Sequence, residues 1–270
     1  MRAAVLGRPI AHSLSPLLHR AAYAALGLTD WTYDALDVGA DELPELLAGL
    51  GPEWAGFSVT MPCKQAAVEV ADVVESLPRM LGAANTLVRI EGGWRAENTD
   101  VVGIGMALQV AEVEHVRRAA ILGGGGTAAA AAVALASLGA EHVEIVVREP
   151  ARAASVVSVL ERLEVATTVS GFGTSAVEAP LVVSTVPVAG QPAAAQLPWR
   201  REHTVLDVLY DPWPTPLAER VHAAGGTVVA GREVLFWQAT VQVELMTGQT
   251  APLGAMRRAL AAALDAPRTS

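Results

Sequence analysis

The chain of 270 residues has one cysteine, Cys63, one lysine, Lys64, and two asparagines, Asn85 and Asn98. A single cysteine excludes an internal disulfide and a cysteine-based metal site. The six histidines are scattered, and none falls in a His-Glu-x-x-His pattern, so no metal centre is expected. Aromatic residues make up 4% of the chain against 52% hydrophobic, so the core must be built from Ala, Val and Leu. Basic charge is scarce. A net charge of −9 and a pI near 5.2 argue against a nucleic-acid partner, which demands basic patches. The longest apolar stretch, Ala128 to Leu138, is mostly Ala and too short to span a bilayer. No basic-then-apolar leader opens the chain, which therefore reads as cytoplasmic, with no membrane partner.

Against this background the lone Lys64 stands out, because all other side-chain cations of its kind are arginines. Arginine does not give up its proton in a protein, whereas a lysine ammonium can once its surroundings disfavour the charge. Lys64 is therefore a candidate proton donor or acceptor. The competing reading is a leftover surface lysine.

Short β-type runs alternate with amphipathic stretches of helical length. Strands are expected at Ala3–Gly7, Trp31–Val38, Gly56–Thr60, Ala119–Leu122, Val143–Val147, Leu181–Thr185, Val205–Tyr210 and Thr227–Ala230. Thr86–Ile90 and Trp94–Ala96 flank Glu91-Gly92-Gly93, a hairpin signal. Helices are expected at Ser15–Leu26, Asp41–Leu50, Lys64–Val74, Asp100–Ala111, Glu233–Met246 and Leu253–Leu264. This alternation implies an α/β protein with a largely parallel, helix-covered sheet. The last two helices lack a strand partner and would return to pack on the first half.

Ala120 to Ala128 reads as a buried strand, a run of four glycines from Gly123 to Gly126, then Thr127 and an Ala-rich helix. Gly123, Gly125 and Ala128 fit the G-x-G-x-x-G/A spacing, in the strand–turn–helix context that dinucleotide binding requires. The helix start would face a pyrophosphate. The alternative is a structural glycine-rich turn. The next strand ends at Arg148, with Arg152 four residues on; a base there suits the 2′-phosphate of NADP, where an acid would hold the ribose of NAD. Glu149 complicates this, since its charge repels a phosphate unless it points away. Otherwise the two arginines are a solvated helix start.

Two further groups invite chemistry. His12-Ser13-Leu14-Ser15-Pro16 precedes a helix, with Pro16 suited to the first helical position and Ser15 to the cap. Two hydroxyls at a helix start form a small anion site that would fit a carboxylate; alone, this is most often only a cap. Thr60-Met61-Pro62-Cys63-Lys64 leaves a strand, Ala84-Asn85-Thr86 begins one, and Glu97-Asn98-Thr99-Asp100 ends one. Polar groups at several strand ends can face one ligand. Asp100 with Lys64 would hold a hydroxyl and tune proton transfer, although Asn98 and Asp100 could equally cap the next helix. Cys63 reads as a packing residue.

These segments together resemble shikimate dehydrogenase, over nearly the whole chain and in the family's order. The likeness extends to Val147–Arg152, to Asp207-Val208-Leu209-Tyr210, and from Gly231 to Gln238-Ala239. The resemblance implies an N-terminal α/β substrate domain (1–99 with 232–270) and a Rossmann-like NADP-binding domain (100–231), with the site in the cleft between them. It implies NADPH-dependent reduction of 3-dehydroshikimate to shikimate, in aromatic amino-acid biosynthesis, by a monomer or homodimer. Carried over by residue, Ser13 and Ser15 would hold the substrate carboxylate. Thr60, Asn85, Asp100 and Gln238 would contact hydroxyls, Tyr210 would line the site, and Lys64, with Asp100 beside it, would serve as acid and base. Gly123, Gly124, Gly125, Gly126 and Thr127 would cradle the pyrophosphate, Arg148 and Arg152 would take the 2′-phosphate, and Val208 and Gly231 would approach the nicotinamide.

The chain departs from the family at three places. Ser58 stands where Asn is common, Val147-Arg148-Glu149 replaces Asn-Arg-Thr, and Gly231-Arg232-Glu233-Val234-Leu235 replaces Gly-x-x-Met-Leu. The rival readings are a quinate or quinate/shikimate dehydrogenase using NAD, and a catalytically silent NADP-binding paralogue. The second is disfavoured by the presence of both Lys64 and Asp100.

Overall fold

The computed structural model describes residues 1–173 and 177–265. By contacts the chain divides into two compact units, Met1–Thr99 with the chain from Gln238 onward, and Asp100–Trp237. The second crossing, between Trp237 and Gln238, falls inside the helix that begins at Gly231, and the part of the expected 232–270 span beyond 265 lies outside the described residues.

The chain opens with β1 (Arg2–Gly7), α1 (Ser15–Ala25), β2 (Thr32–Asp37), α2 (Leu43–Ala48) and β3 (Trp54–Val59). Then come α3 (Ala66–Val70), β4 (Val73–Val74), α4 (Ser76–Leu81), β5 (Thr86–Ile90) and β6 (Gly93–Glu97). Asp100–Val110 is α5, followed by β7 (Arg118–Leu122), α6 (Gly126–Ser137), β8 (His142–Val147), α7 (Ala154–Arg162) and β9 (Ala166–Gly171). After β10 (Leu181–Ser184) come α8 (Gln191–Ala195), β11 (Thr204–Asp207), α9 (Pro216–Ala223), β12 (Thr227–Ala230), α10 (Gly231–Thr247) and α11 (Leu253–Asp265).

The first unit's sheet runs β2-β1-β3-β5-β6-β4. It is mixed: β1 pairs in parallel with β2 and β3, while β5 is antiparallel to both β3 and β6. The expected largely parallel sheet is thus half right here, because the hairpin reverses the chain. The second unit's sheet, β12-β11-β10-β7-β8-β9, is parallel throughout. Apart from the edge strand β9, its strands are largely apolar, as helix-covered parallel strands must be. Helix α6 fits this: Ala128 to Ala132 are all fully buried, so its small side chains let neighbouring layers close in.

Phe57, with no exposure, anchors one core of the first unit between Trp54 and Trp94, at ring-centroid distances of 4.9 and 5.2 Å. Clustered aromatics on one sheet face supply large buried area from few residues, which offsets the low aromatic content. Helix α11 packs on α1, so the C-terminal helices do return to the first unit.

Several local expectations need correction. The helix expected over Lys64–Val74 stops at Val70, and Val73–Val74 pair in parallel with Arg95 and Ala96 of β6. The cause is Asp72: its carboxylate accepts the Trp94 N–H at 2.8 Å, its own N–H donates to the Trp94 carbonyl at 2.9 Å, and the chain is pulled straight. The strand expected through Tyr210 ends at Asp207, where the Asp207 carboxylate accepts the Leu209 N–H at 3.3 Å and turns the backbone away. Ser15 is not the cap of α1; Leu14 occupies that position, and the Ser13 hydroxyl accepts the Ser15 N–H at 3.3 Å. The elements without a stated expectation include the short α4 and the edge strand β9, which has no buried residue and lacks an apolar run.

His19 of α1 is fully buried and stacks on Tyr33 with ring centroids 4.0 Å apart. Burial lowers its pKa from 6.5 to about 3, partly opposed by its hydrogen bond to Gln242. The unfolded chain therefore binds a proton here that the folded chain refuses, and this contribution to stability is lost as pH falls from 6.5 toward 3. Urea unfolding over that range should show a steeper loss of stability in the native protein than in His19→Gln. Identical pH dependence in the two would contradict the assignment.

Candidate active site

The mixed sheet explains how residues far apart in sequence meet. Because β5 runs against β3 and β6, its first residue lies beside their last ones: Ser58 is in register with Thr86, and Thr86 with Glu97. Backbone bonds continue this row past the strand ends. The Val59 N–H donates to the Asn85 carbonyl at 2.7 Å, the Asn85 N–H to the Glu97 carbonyl at 3.1 Å, and the Ala84 N–H to the Lys64 carbonyl at 2.8 Å. The Thr60–Lys64 loop is pinned on its other side, where the Thr60 N–H donates to Leu6 at 2.8 Å and the Arg8 N–H donates to Met61 at 3.0 Å. Gly7 is required there, since a side chain would strike Thr60 and the Met61 carbonyl. Lys64 sits half-buried on this loop and Thr60 likewise. Cys63 is buried, its thiol bonded to the Val38 carbonyl at 3.3 Å, and burial pushes its pKa up. A protonated, enclosed thiol is a packing group and a poor nucleophile.

Asn85 is 2% exposed, and its side chain is held from every side. Its oxygen accepts the Thr99 N–H at 2.7 Å and the Thr86 hydroxyl at 2.9 Å. Its nitrogen donates to the Thr99 hydroxyl at 2.9 Å and the Gln238 oxygen at 3.3 Å. A ligand hydroxyl meeting Asn85 would therefore exchange for one of these bonds. Gln238 lies on α10 and is 8% exposed. The Asn98 amide donates to the Ala83 carbonyl at 2.9 Å, which ties the exit of β6 to the entrance of β5. Asp100 is the first residue of α5, 6% exposed, and belongs by its contacts to the second unit. Ser13 and Ser15 stand at the start of α1, the first half-buried and the second 5% exposed.

In the second unit the glycine run bridges β7 and α6. Gly123 has φ +116°, and a side chain on it would meet the Thr185 hydroxyl; one on Gly124 would collide with the Arg152 carbonyl. Gly125, the residue before α6, has open space where a side chain would lie. The α6 start thus presents bare backbone beside Gly125, Gly126 and Thr127, which suits a phosphate. The close approach at Gly124 and the Ser155 hydroxyl's bond to the Gly124 carbonyl at 3.4 Å set the Arg152 turn against this loop. Arg148 and Arg152 are exposed, and Glu149 lies 3.9 Å from the Arg152 guanidinium, where its charge is matched. The residues present therefore fit a nucleotide that carries an additional phosphate. Val208 and Gly231, from different strand ends, also meet: a side chain on Gly231 would strike the Val208 carbonyl. Asp207 braces this corner, accepting the Thr215 hydroxyl at 2.7 Å and the Gln191 amide at 3.2 Å, while burial raises its pKa. Tyr210 follows, half-buried. Among the described residues no group of three or more His, Cys, Asp or Glu could hold a metal, and no helix is long and apolar enough to cross a membrane.

Sequence reasoning missed Gln242, which lies one helical turn beyond Gln238 and is 1% exposed. Only that four-residue spacing within a helix pointed to it.

Residues 5–87 match the shikimate dehydrogenase substrate binding domain, and residues 231–261 match the shikimate 5′-dehydrogenase C-terminal domain. A shikimate dehydrogenase (NADP(+)) of Moorella thermoacetica is 33% identical, covering 97% of this chain and 93% of its own. The crystal structure of Mycobacterium tuberculosis shikimate dehydrogenase is 47% identical with a TM-score of 0.87, covering 97% of this chain and 99% of that one. Shikimate 5-dehydrogenase from Thermus thermophilus, solved in complex with NADP(H) and shikimate, is 32% identical with a TM-score of 0.84, covering 97% and 99%. With the strand-end row, the glycine turn and full-length likeness in agreement, this chain belongs to the shikimate dehydrogenase family.

Proposed function

We propose that this protein is an NADP-dependent shikimate dehydrogenase, interconverting 3-dehydroshikimate and shikimate. The observation that carries the reading is the row of strand ends where Lys64, Asn85 and Glu97 are tied by backbone bonds while Asn85 bonds to Gln238. This chemistry needs a proton-transfer group among neutral hydrogen-bonding amides, and the row supplies both. Full-length relatives bearing the same activity support it.

NADP, when bound, supplies the hydride acceptor for oxidation and the donor for reduction. The chain's residues do the rest. In oxidation the substrate hydroxyl loses its proton to neutral Lys64 as the carbon loses hydride; in reduction the Lys64 ammonium returns that proton to the oxygen. Arginine at the same position would stay charged and could not accept it. Asp100 accepts from a substrate hydroxyl, and Thr60, Asn85 and Gln238 orient the others. Ser13 and Ser15 hold the carboxylate at the α1 start, and Tyr210 lines the site. Bare backbone at Gly123–Thr127 receives the pyrophosphate, Arg148 and Arg152 the 2′-phosphate, and Val208 with Gly231 the nicotinamide. The substrate domain is then Met1–Thr99 with the chain from Gln238, and the NADP domain Asp100–Trp237.

The first test mixes the protein with shikimate or quinate and NADP or NAD, following nicotinamide absorbance. Turnover should be fastest with shikimate and NADP; none in any mixture sinks the reading. Lys64→Arg should lose about 10²–10⁴-fold in kcat, the usual contribution of a general acid–base group, while its affinity for NADP is retained. Near-normal turnover would remove Lys64 from the reaction. Arg148→Ala combined with Arg152→Ala should raise KM for NADP by about tenfold or more, with little change for NAD, because charge-assisted bonds to phosphate are lost. Equal effects on both cofactors would place these arginines elsewhere.

A further inference from the structure

Gln242 is 1% exposed, yet every hydrogen-bonding position of its amide is used. Its nitrogen donates to the Asn85 carbonyl at 3.1 Å and to the Thr86 hydroxyl oxygen at 3.0 Å. Its oxygen accepts the Ser58 hydroxyl at 2.6 Å and faces the His19 ring nitrogen at 3.4 Å. Ser58 in turn accepts the Tyr33 hydroxyl at 2.5 Å. One side chain thus joins α1, β2, β3, β5 and α10 inside the first unit.

The direction of each bond follows from groups that cannot reverse. A backbone carbonyl only accepts, so the Gln242 end facing Asn85 is its NH2. The same NH2 fills a lone pair of Thr86, whose O–H is then directed to the Asn85 oxygen. The Thr99 N–H, which only donates, meets that same oxygen. The Asn85 nitrogen is therefore turned to Gln238, and it binds the Gln238 oxygen. The Gln238 nitrogen consequently lies at the far end of its amide.

We propose that Gln242 is a positioning residue for the substrate site, acting through the Thr86 hydroxyl to hold Asn85 and, through it, Gln238 in a single orientation. It does so without touching the substrate. Buried networks with every member satisfied are rigid, and loss of one partner leaves the others free to rotate or unpaired. The Ser58 hydroxyl is part of the device, which gives that departure from the family's common Asn a role here: it passes the Tyr33 hydroxyl's bond on to Gln242.

This inference rests on the proposed roles of Asn85 and Gln238, and the experiment separates the two. Gln242→Met, Thr86→Val and Thr86→Ser are compared with the native protein by steady-state kinetics with shikimate and NADP. The native protein must first turn over shikimate; if it does not, the functional reading fails. Given turnover, Gln242→Met and Thr86→Val should each raise KM for shikimate by about tenfold, leave KM for NADP within about twofold, and be matched by near-native behaviour of Thr86→Ser. Unchanged shikimate KM in Thr86→Val overturns the proposal. So does an equal rise in both KM values, or a Thr86→Ser protein as impaired as Thr86→Val, since either would mark a general packing role. Thr86→Val, which removes one hydroxyl at nearly constant volume, carries the test alone if Gln242→Met fails to fold.

Discussion

The candidate site depends on Asn85. Its backbone pairs with both neighbours of its strand, accepting from Val59 and donating to Glu97. Its side chain then binds the residue that follows Asn98, a hydroxyl on its own strand, and an amide more than a hundred residues away on α10. A buried side-chain amide is costly unless its donors and acceptors are met, and here they are met by the very segments that carry the candidate chemistry. The same bonds that satisfy Asn85 therefore tie together the end of β3, the exit of β6 and α10.

The second unit solves a different problem with less polarity. Its parallel sheet is filled by Val, Leu and Ala, and its glycine loop is shaped by bare backbone. Gly124 is bare because the Arg152 carbonyl occupies the space, and Gly125 is bare with nothing there. The first glycine lets protein approach protein; the second leaves room for something else. Asp207 does for this unit what Asn85 does for the other, bending a strand end so that Val208 meets Gly231. Its raised pKa reflects the cost of keeping a carboxyl group buried at that bend.

Much of this was legible in sequence, for identifiable reasons. Lys64 was conspicuous because Lys had been replaced by Arg everywhere else, and the glycine turn because its flanking strand and helix are strongly apolar. What escaped was set by tertiary bonds. Asp72 could be known to break a helix only once Trp94 lay beside it. Edge strand β9 is too exposed to carry an apolar signature. Ser15 has the right residue type for a cap, but the Ser13 hydroxyl reaches its N–H first. Gln242 is one polar residue on a long helix, and its importance comes from four partners spread across the first unit.

In the proposed function, Asn85 organises a substrate site whose chemistry is separate from cofactor recognition. Calorimetric titration of Asn85→Ala with shikimate and, independently, with NADP tests it most directly. Shikimate affinity should weaken by about tenfold or more, as expected for the loss of buried hydrogen bonds, with NADP affinity unchanged. Native shikimate affinity in this variant would contradict it.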